Sequence, residues 1–200
     1  MGNKISIKIT KKLNKKKRIK FSSSKNETLD SANSSNSRLT SNLRIVDGRP
    51  YFDEDFSMYM FPIDWEEADR IQALHFVLKH ILGGNYSAPL SNIIKPGSKI
   101  LDIGCGPGHC LETSQEFTNA EFYGIDLIST FPDMIKPPNC YFQTCNILDG
   151  LPFDDNEFDY IFMRHMLTIM KKSQWNSVLK DIMRVMKPGG VIESVELNLI

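Results

Sequence analysis

Ten residues, Leu101 to Cys110 (LDIGCGPGHC), bring three glycines, a carboxylate, two cysteines and a histidine together. Such a run could cradle a phosphate, read a dinucleotide, hold a metal or set an acid beside a ligand amine. The spacing separates these chemistries. A Walker loop ends in Gly-Lys-Ser/Thr, which is absent, and a dinucleotide fingerprint wants Gly or Ala where His109 stands. What remains is Asp-x-Gly-x-Gly-x-Gly, with Asp102 two residues ahead of Gly104. An acid at that place suits a ligand bearing an ammonium group and repels pyrophosphate.

S-adenosylmethionine (SAM) is such a ligand, an amino acid at one end and no phosphate. Two further positions fit it. Asp126 closes the segment EFYGID, where an acid can accept both ribose hydroxyls. Asn146, between Cys145 and Ile147, offers a polar edge with apolar neighbours, suited to an adenine. One glycine loop is weak evidence; the loop, Asp126 and Asn146 at successive strand ends are together specific.

Several residues have plainer readings. Cys105-x4-Cys110 and Cys140-x4-Cys145 match no usual zinc-ligand spacing, so no metal is expected and the thiols are read as small buried groups. Met163, Met166, Met170, Met183 and Met186 read as core. His109 is expected to open a helix. His75 and His80 lie on an upstream helix, where a structural role is the default, although His75 could face the cofactor.

The elements that must position the loop alternate strand with helix. Asp64–Leu82 reads as a helix, with Asp64 and Glu67 as a capping box and Gly83-Gly84 as its stop. Strands are expected at Lys99–Ile103, Glu121–Ile125, Cys140–Thr144, Phe158–Met163 and Val191–Leu197, and helices at His109–Phe117 and Ser173–Met186, the latter capped by Ser173. The connection Leu127–Asn139 carries three prolines and is not expected to form a full helix. This pattern predicts an α/β, Rossmann-like, doubly wound and mostly parallel sheet.

Charge divides the chain. The net charge is zero, but residues 1–21 hold nine Lys/Arg and no acid, whereas residues 44–200 hold 13 basic and 22 acidic residues. An acidic body is a poor match for nucleic-acid phosphates. Four cysteines in 200 residues with no secretory leader favour a reducing compartment, and no run approaches eighteen apolar residues. The divisions expected are a basic tail (1–21), a disordered Ser/Asn-rich linker (22–43), a helical segment (44–98) and a ligand-binding core (99–200).

ILDIGCGPG, YGIDL, NILDGLPFDDNEFDYIFMRHML and VMKPGGVIESVE resemble the successive motifs of class I SAM-dependent methyltransferases. The upstream YMFPIDWEEADRIQALHFVLKHILGGNYSAP resembles the segment before that core in fungal methyltransferases of the LaeA-like type. The resemblance implies that Asp102, Gly104, Cys105, Gly106 and Gly108 contact the methionine moiety or shape its loop. It implies that Asp126 holds the ribose, and Asn146 with Ile147 the adenine. Asn146 stands where the family often has Asp, so its bond to the adenine amino group would rest on the amide oxygen.

Arg164 and His165 follow the fourth strand near the expected place of the sulfonium methyl, with Arg164 a cofactor contact and His165 the candidate general base. The Asn/Asp-Pro-Pro-aromatic motif of nucleic-acid amino methylation is absent, since Phe162-Met163-Arg164-His165 occupies its place.

The resemblance implies methyl transfer to a small molecule or protein. A catalytically silent SAM-binding regulatory module is the alternative, and an NAD(P)-dependent oxidoreductase is disfavoured by His109. Family members normally continue through two more strands after the fifth. A chain ending at Ile200 is therefore expected to be truncated, or to need a partner strand at its exposed edge.

The tail offers two addresses. MGNKIS fits the N-myristoylation pattern and is followed by a polybasic run, a combination that holds proteins at membrane surfaces. Lys15–Arg18 (KKKR) fits an import signal. The expected location is cytoplasmic, with the nucleus or membrane periphery reached through this tail. Gly2→Ala is expected to shift the chain from the membrane to the soluble fraction, read by fractionation; unchanged membrane association would sink acylation.

Overall fold

The structure, a computed structural model, describes residues 42–196. The basic tail and nearly all of the predicted linker lie outside the described residues. Among those described, no helix is long and apolar enough to cross a membrane.

The chain begins with a hairpin, β1 (Leu43–Val46) and β2 (Arg49–Phe52), which the helical reading of 44–98 did not include. Its turn is Asp47-Gly48, both residues at positive φ, the geometry that matches the twist of two antiparallel strands. Arg49 at the base of the hairpin donates from Nε and Nη2 to Asp64, each at 2.7 Å. Asp64 also accepts from the Glu67 amide at 3.0 Å and so caps α1 (Trp65–Leu82). The expected capping box is half formed: the Glu67 side chain turns to Tyr59 and Arg70 instead of reaching back.

After a single turn, α2 (Leu90–Ile93), the chain enters its sheet. The strands are β3 (Lys99–Ile103), β4 (Glu121–Asp126), β5 (Cys140–Thr144), β6 (Phe158–Arg164) and β7 (Met186–Val195), with α3 (Cys110–Glu116) and α4 (Trp175–Val185) between them. The order is β5-β4-β3-β6-β7 and every pairing is parallel, as the alternating pattern predicts. The connection from β4 to β5 stays irregular, in keeping with its prolines.

Alternation along the strands sorts the core into two layers. Leu101, Ile103, Tyr123, Ile125, Ile161 and Met163 face one side, where Val178, Ile182 and Val185 of α4 pack on them. Ile100, Phe122, Tyr160 and Phe162 face the other, with Ile94 and Cys110.

Two boundaries differ from the sequence reading. Helix α4 starts at Trp175 after Gln174, not after a Ser173 cap, because the Gln174 carboxamide accepts the Lys171 amide at 2.7 Å and turns the chain there. Strand β7 starts at Met186, five residues before the predicted Val191. Met186 pairs with Phe158, and the register then shifts before Tyr160 pairs with Val191, so Lys187–Gly190 is carried within the strand.

Glu193 ties this edge to the upstream chain. Its carboxylate accepts the amides of Ser87 (2.7 Å) and Ala88 (2.9 Å) and the hydroxyl of the fully buried Tyr160 (2.6 Å). Removing it strands three donors at once. Glu193→Ala is expected to cost about 2–4 kcal/mol in urea unfolding, and Glu193→Gln less; a loss below about 0.5 kcal/mol for the alanine variant would show that water replaces the bonds.

Candidate functional site

The strand order reverses between β3 and β6, and a crevice opens beyond the carboxyl ends of the strands at that point, as it does in doubly wound sheets. The cavity there measures about 470 Å3. Its floor is strand ends and the glycine loop, with Asp102, Gly104, Gly106, Asp126, Asn146, Ile147, Arg164 and His165 in its wall. Its roof is the segment from Phe52 to Ile63 together with the Glu67, Ile71, Leu74 and His75 face of α1.

The glycine loop is pinned by its neighbour strand. The amides of Gly104 (2.8 Å) and Cys105 (3.1 Å) donate to the Ile125 carbonyl. The Gly106 amide donates to Asp126 Oδ2 at 2.8 Å, and Ile128 donates to Oδ1 at 3.0 Å. One carboxylate therefore fixes the loop after β3 to the loop after β4. Burial raises the pKa of Asp126, against the backbone amides that favour its ionised form.

Gly104 cannot be replaced freely. It sits at φ 71°, and a Cβ would fall 2.8 Å from Met166 Sδ.

Asp102 is 3% exposed, and its Oδ2 is buried without a hydrogen-bond partner. Burial pushes its carboxyl up to about 7; the Arg164 charge opposes that shift and Asp126 adds to it. A buried acceptor left open costs about 1–3 kcal/mol, so the orphan oxygen fits a donor arriving from the crevice.

Arg164, at the end of β6, donates from Nη2 to Nδ1 of His75 (3.0 Å) and Nδ1 of His109 (3.1 Å). The two imidazoles stack with centroids 4.3 Å apart and planes 3° from parallel. Burial drives His75 down to about 4 and His109 further, each assisted by the Arg164 charge, so both are neutral near pH 7.

His165 turns the chain at φ 58°, its amide on the Val195 carbonyl at 3.0 Å. Its Nε2 is buried without a partner, and burial lowers its pKa. Glu196 accepts the amides of Met166 (3.0 Å) and Leu167 (3.1 Å), fixing the segment that follows.

Of the residues singled out from the sequence, Asp102, Gly104, Gly106, Asp126, Asn146, Ile147, Arg164 and His165 meet in one cavity. Cys105 and Gly108 do not line it. The Cys105 thiol is wholly buried beneath the loop, and Gly108 sits against Leu111 and Phe142. Asn146 lines the wall, but its Oδ1 caps the following turn by accepting the Leu148 amide at 3.0 Å. That leaves one lone pair of the amide oxygen for a ligand. Met166 and Met170, read as core, are buried and also line the cavity.

Apart from His75, which the sequence lets face the cofactor, the roof is not legible in the sequence. Glu67 is 4% exposed and bound by Tyr59 Oη (2.7 Å) and bidentately by Arg70 (2.6 and 2.7 Å). Phe52, Phe56, Met60 and Phe61 add an apolar surface. The Asp-Gly turn between alternating residues was a signal for the hairpin that carries Phe52; nothing local marks Tyr59 or Glu67.

A five-stranded parallel sheet with a glycine loop and acids at two successive strand ends defines a Rossmann-like α/β fold. A family model described as a methyltransferase domain matches residues 100–190. The secondary metabolism regulator laeA of Coprinopsis cinerea is 30% identical over 156 residues, covering 76% of this chain and 38% of that protein. Methyltransferase str2 of Strobilurus tenacellus is 32% identical over 133 residues, 66% of this chain and 46% of its own length.

A crystal structure from Methanococcus maripaludis, assigned as a SAM-dependent methyltransferase, shares the fold. Its TM-score is 0.50 at 16% identity, over 68% of this chain and 65% of that one. The chain belongs to the class I SAM-dependent methyltransferases. It spans 38% to 50% of the length of the first curated relatives it matches.

Gly104→Ala is expected to destabilise the fold by about 1–3 kcal/mol in urea, from backbone strain and displacement of Met166. An unchanged unfolding midpoint would show that the loop adapts freely.

Proposed function

We propose that this chain binds SAM in the crevice and passes its methyl group to an acceptor that enters between the strand ends and the roof. The observation carrying this reading is the buried, unpartnered Oδ2 of Asp102, whose carboxyl feels the Arg164 charge in the wall of the same cavity. A carboxylate and a guanidinium in the wall of one cavity fit the zwitterionic head of an amino acid, and a pyrophosphate would meet Asp102 with like charge.

In this reading Asp102 accepts from the ligand ammonium, and the backbone at Gly104 and Gly106 lies against the methionine chain. Asp126, its orientation fixed by two amides, accepts the ribose hydroxyls. Asn146 and Ile147 hold the adenine edge and face. The bound sulfonium supplies an electrophilic methyl, so the protein has to align the acceptor and keep water away. Proximity and orientation of this kind are worth roughly 7–11 kcal/mol of barrier. Where the acceptor retains its proton, His165 Nε2 is the base; its lowered pKa keeps it neutral near pH 7. The apolar roof, with Phe52, Phe56 and Met60, favours an acceptor with an apolar body, a small molecule or a protein side chain.

A second reading, a SAM-binding module that works through partners without turnover, is supported by the regulator names of two relatives, from Coprinopsis cinerea and Cochliobolus heterostrophus. Transfer of labelled methyl groups to a cell extract separates the two. Label appearing in an extract component supports the enzyme; SAM binding without transfer supports the module.

Titration calorimetry tests the cofactor itself, with binding of SAM and S-adenosylhomocysteine and none of NAD expected. The pH dependence has a defined sign. The Asp102 carboxyl is raised to about 7, so below that pH it is protonated and cannot meet an ammonium. Affinity for S-adenosylhomocysteine is expected to fall by about tenfold per unit below pH ~7. The fall should be steeper than for 5′-methylthioadenosine, which lacks the aminoacyl part. Equal slopes for the two ligands would remove Asp102 from the amine subsite.

A further inference from the structure

We infer that the stacked His75–His109 pair is a positioning device that presents the Arg164 guanidinium to the carboxylate of the aminoacyl ligand, so that helix α1 sets cofactor affinity. This inference rests on the cofactor reading above.

Arg164 is half-buried at the cavity wall, where burial opposes its charge. Such a cation needs hydrogen-bond acceptors to fix it. The Asp102 charge favours its ionised form, but no carboxylate among the described residues accepts a hydrogen bond from it. The structure instead supplies two neutral acceptors. His75 Nδ1 and His109 Nδ1 take both hydrogens of the single nitrogen Nη2, at 3.0 and 3.1 Å. Among the described residues its other nitrogens make no hydrogen bond, and none of them is wholly buried. The guanidinium is thus held in place by neutral acceptors, with its remaining donors unpaired among the described residues.

The arrangement carries a visible cost. Acceptance at both Nδ1 atoms places both protons on Nε2, and His109 Nε2 is buried with no acceptor. A merely space-filling histidine would turn to satisfy that donor. The near-parallel stack, 4.3 Å between centroids, locks the two rings against such rotation. His75 is 3% exposed and comes from α1, which precedes the residues 100–190 matched by the family model. Further bonds brace that helix at the start of α3: Lys79 pairs with Glu112, and Asn85 donates to Glu112 Oε2 at 2.9 Å.

The test compares two ligands that differ in the aminoacyl part. By calorimetry, His75→Phe keeps a ring in the stack and removes the acceptor. It is expected to weaken S-adenosylhomocysteine about tenfold and change 5′-methylthioadenosine less than twofold. His75→Asn, whose amide oxygen can stand in for Nδ1, is expected to recover most of the loss. Arg164→Met should show the same selectivity, and adding His75→Phe to it should cost nothing more if the histidine acts through the arginine.

Should the phenylalanine at 75 unfold the chain, His109→Phe removes the other acceptor and is read the same way. Equal losses for both ligands, or additive losses in the double variant, would make the pair a packing feature only and overturn the inference. Failure of the unaltered chain to bind S-adenosylhomocysteine would instead overturn the cofactor reading, and this inference with it.

Discussion

The constraint on which the site depends is charge buried at the switch point of a parallel sheet and only partly compensated. Two carboxylates, Asp102 and Asp126, and one guanidinium, Arg164, lie at adjacent strand ends where water is largely excluded. Asp126 is compensated by backbone, the Gly106 and Ile128 amides taking one oxygen each. Arg164 is compensated by neutral nitrogens. Asp102 retains an oxygen with no partner. Buried charge of this kind persists only where something else over-determines the geometry, and here the sheet does so: β3 is flanked by β4 and β6 and cannot shift without breaking both ladders.

The upstream chain makes this electrostatics effective. Without the roof from Phe52 to Leu82 the strand ends would face solvent and the acids would behave as ordinary surface groups. The roof is itself held by ion pairs. Arg49 clamps the hairpin to the Asp64 cap, and Glu67 gathers Arg70 and Tyr59 over the cavity. From the far edge, Glu193 holds residues 87 and 88 against β7, and Glu196 holds residues 166 and 167. The same acidic excess that argued against nucleic acid thus serves here as internal bracing.

Much of this is legible in the sequence. The five strands, their parallel sense and the cluster of Asp102, Gly104, Gly106, Asp126, Asn146, Ile147, Arg164 and His165 follow from local pattern, because strand ends in an alternating fold share one edge. The start of β7 was not legible. Lys187-Pro188-Gly189-Gly190 reads as a turn, and only pairing of Met186 with Phe158 draws it into the strand. Asn146 lines the cavity as its place predicts, and its second role, accepting the Leu148 amide, is not visible in its spacing. The role of Ser173 as a cap failed because Gln174 forms the competing turn.

The sequence by itself determined the chemistry at the floor of the crevice. Acid before glycines, acid after the second strand and arginine after the fourth are neighbours through backbone connectivity, which short motifs encode. The tertiary structure alone decided what those groups mean electrically. His75 and Arg164 are 89 residues apart, and no local signal pairs them; packing α1 across the glycine loop does. That contact fixes a cation at the cavity wall, and burial within the fold leaves Asp102 Oδ2 without a partner. Long-range packing sets the local dielectric and the partners of buried groups, and neither is written in the spacing of residues.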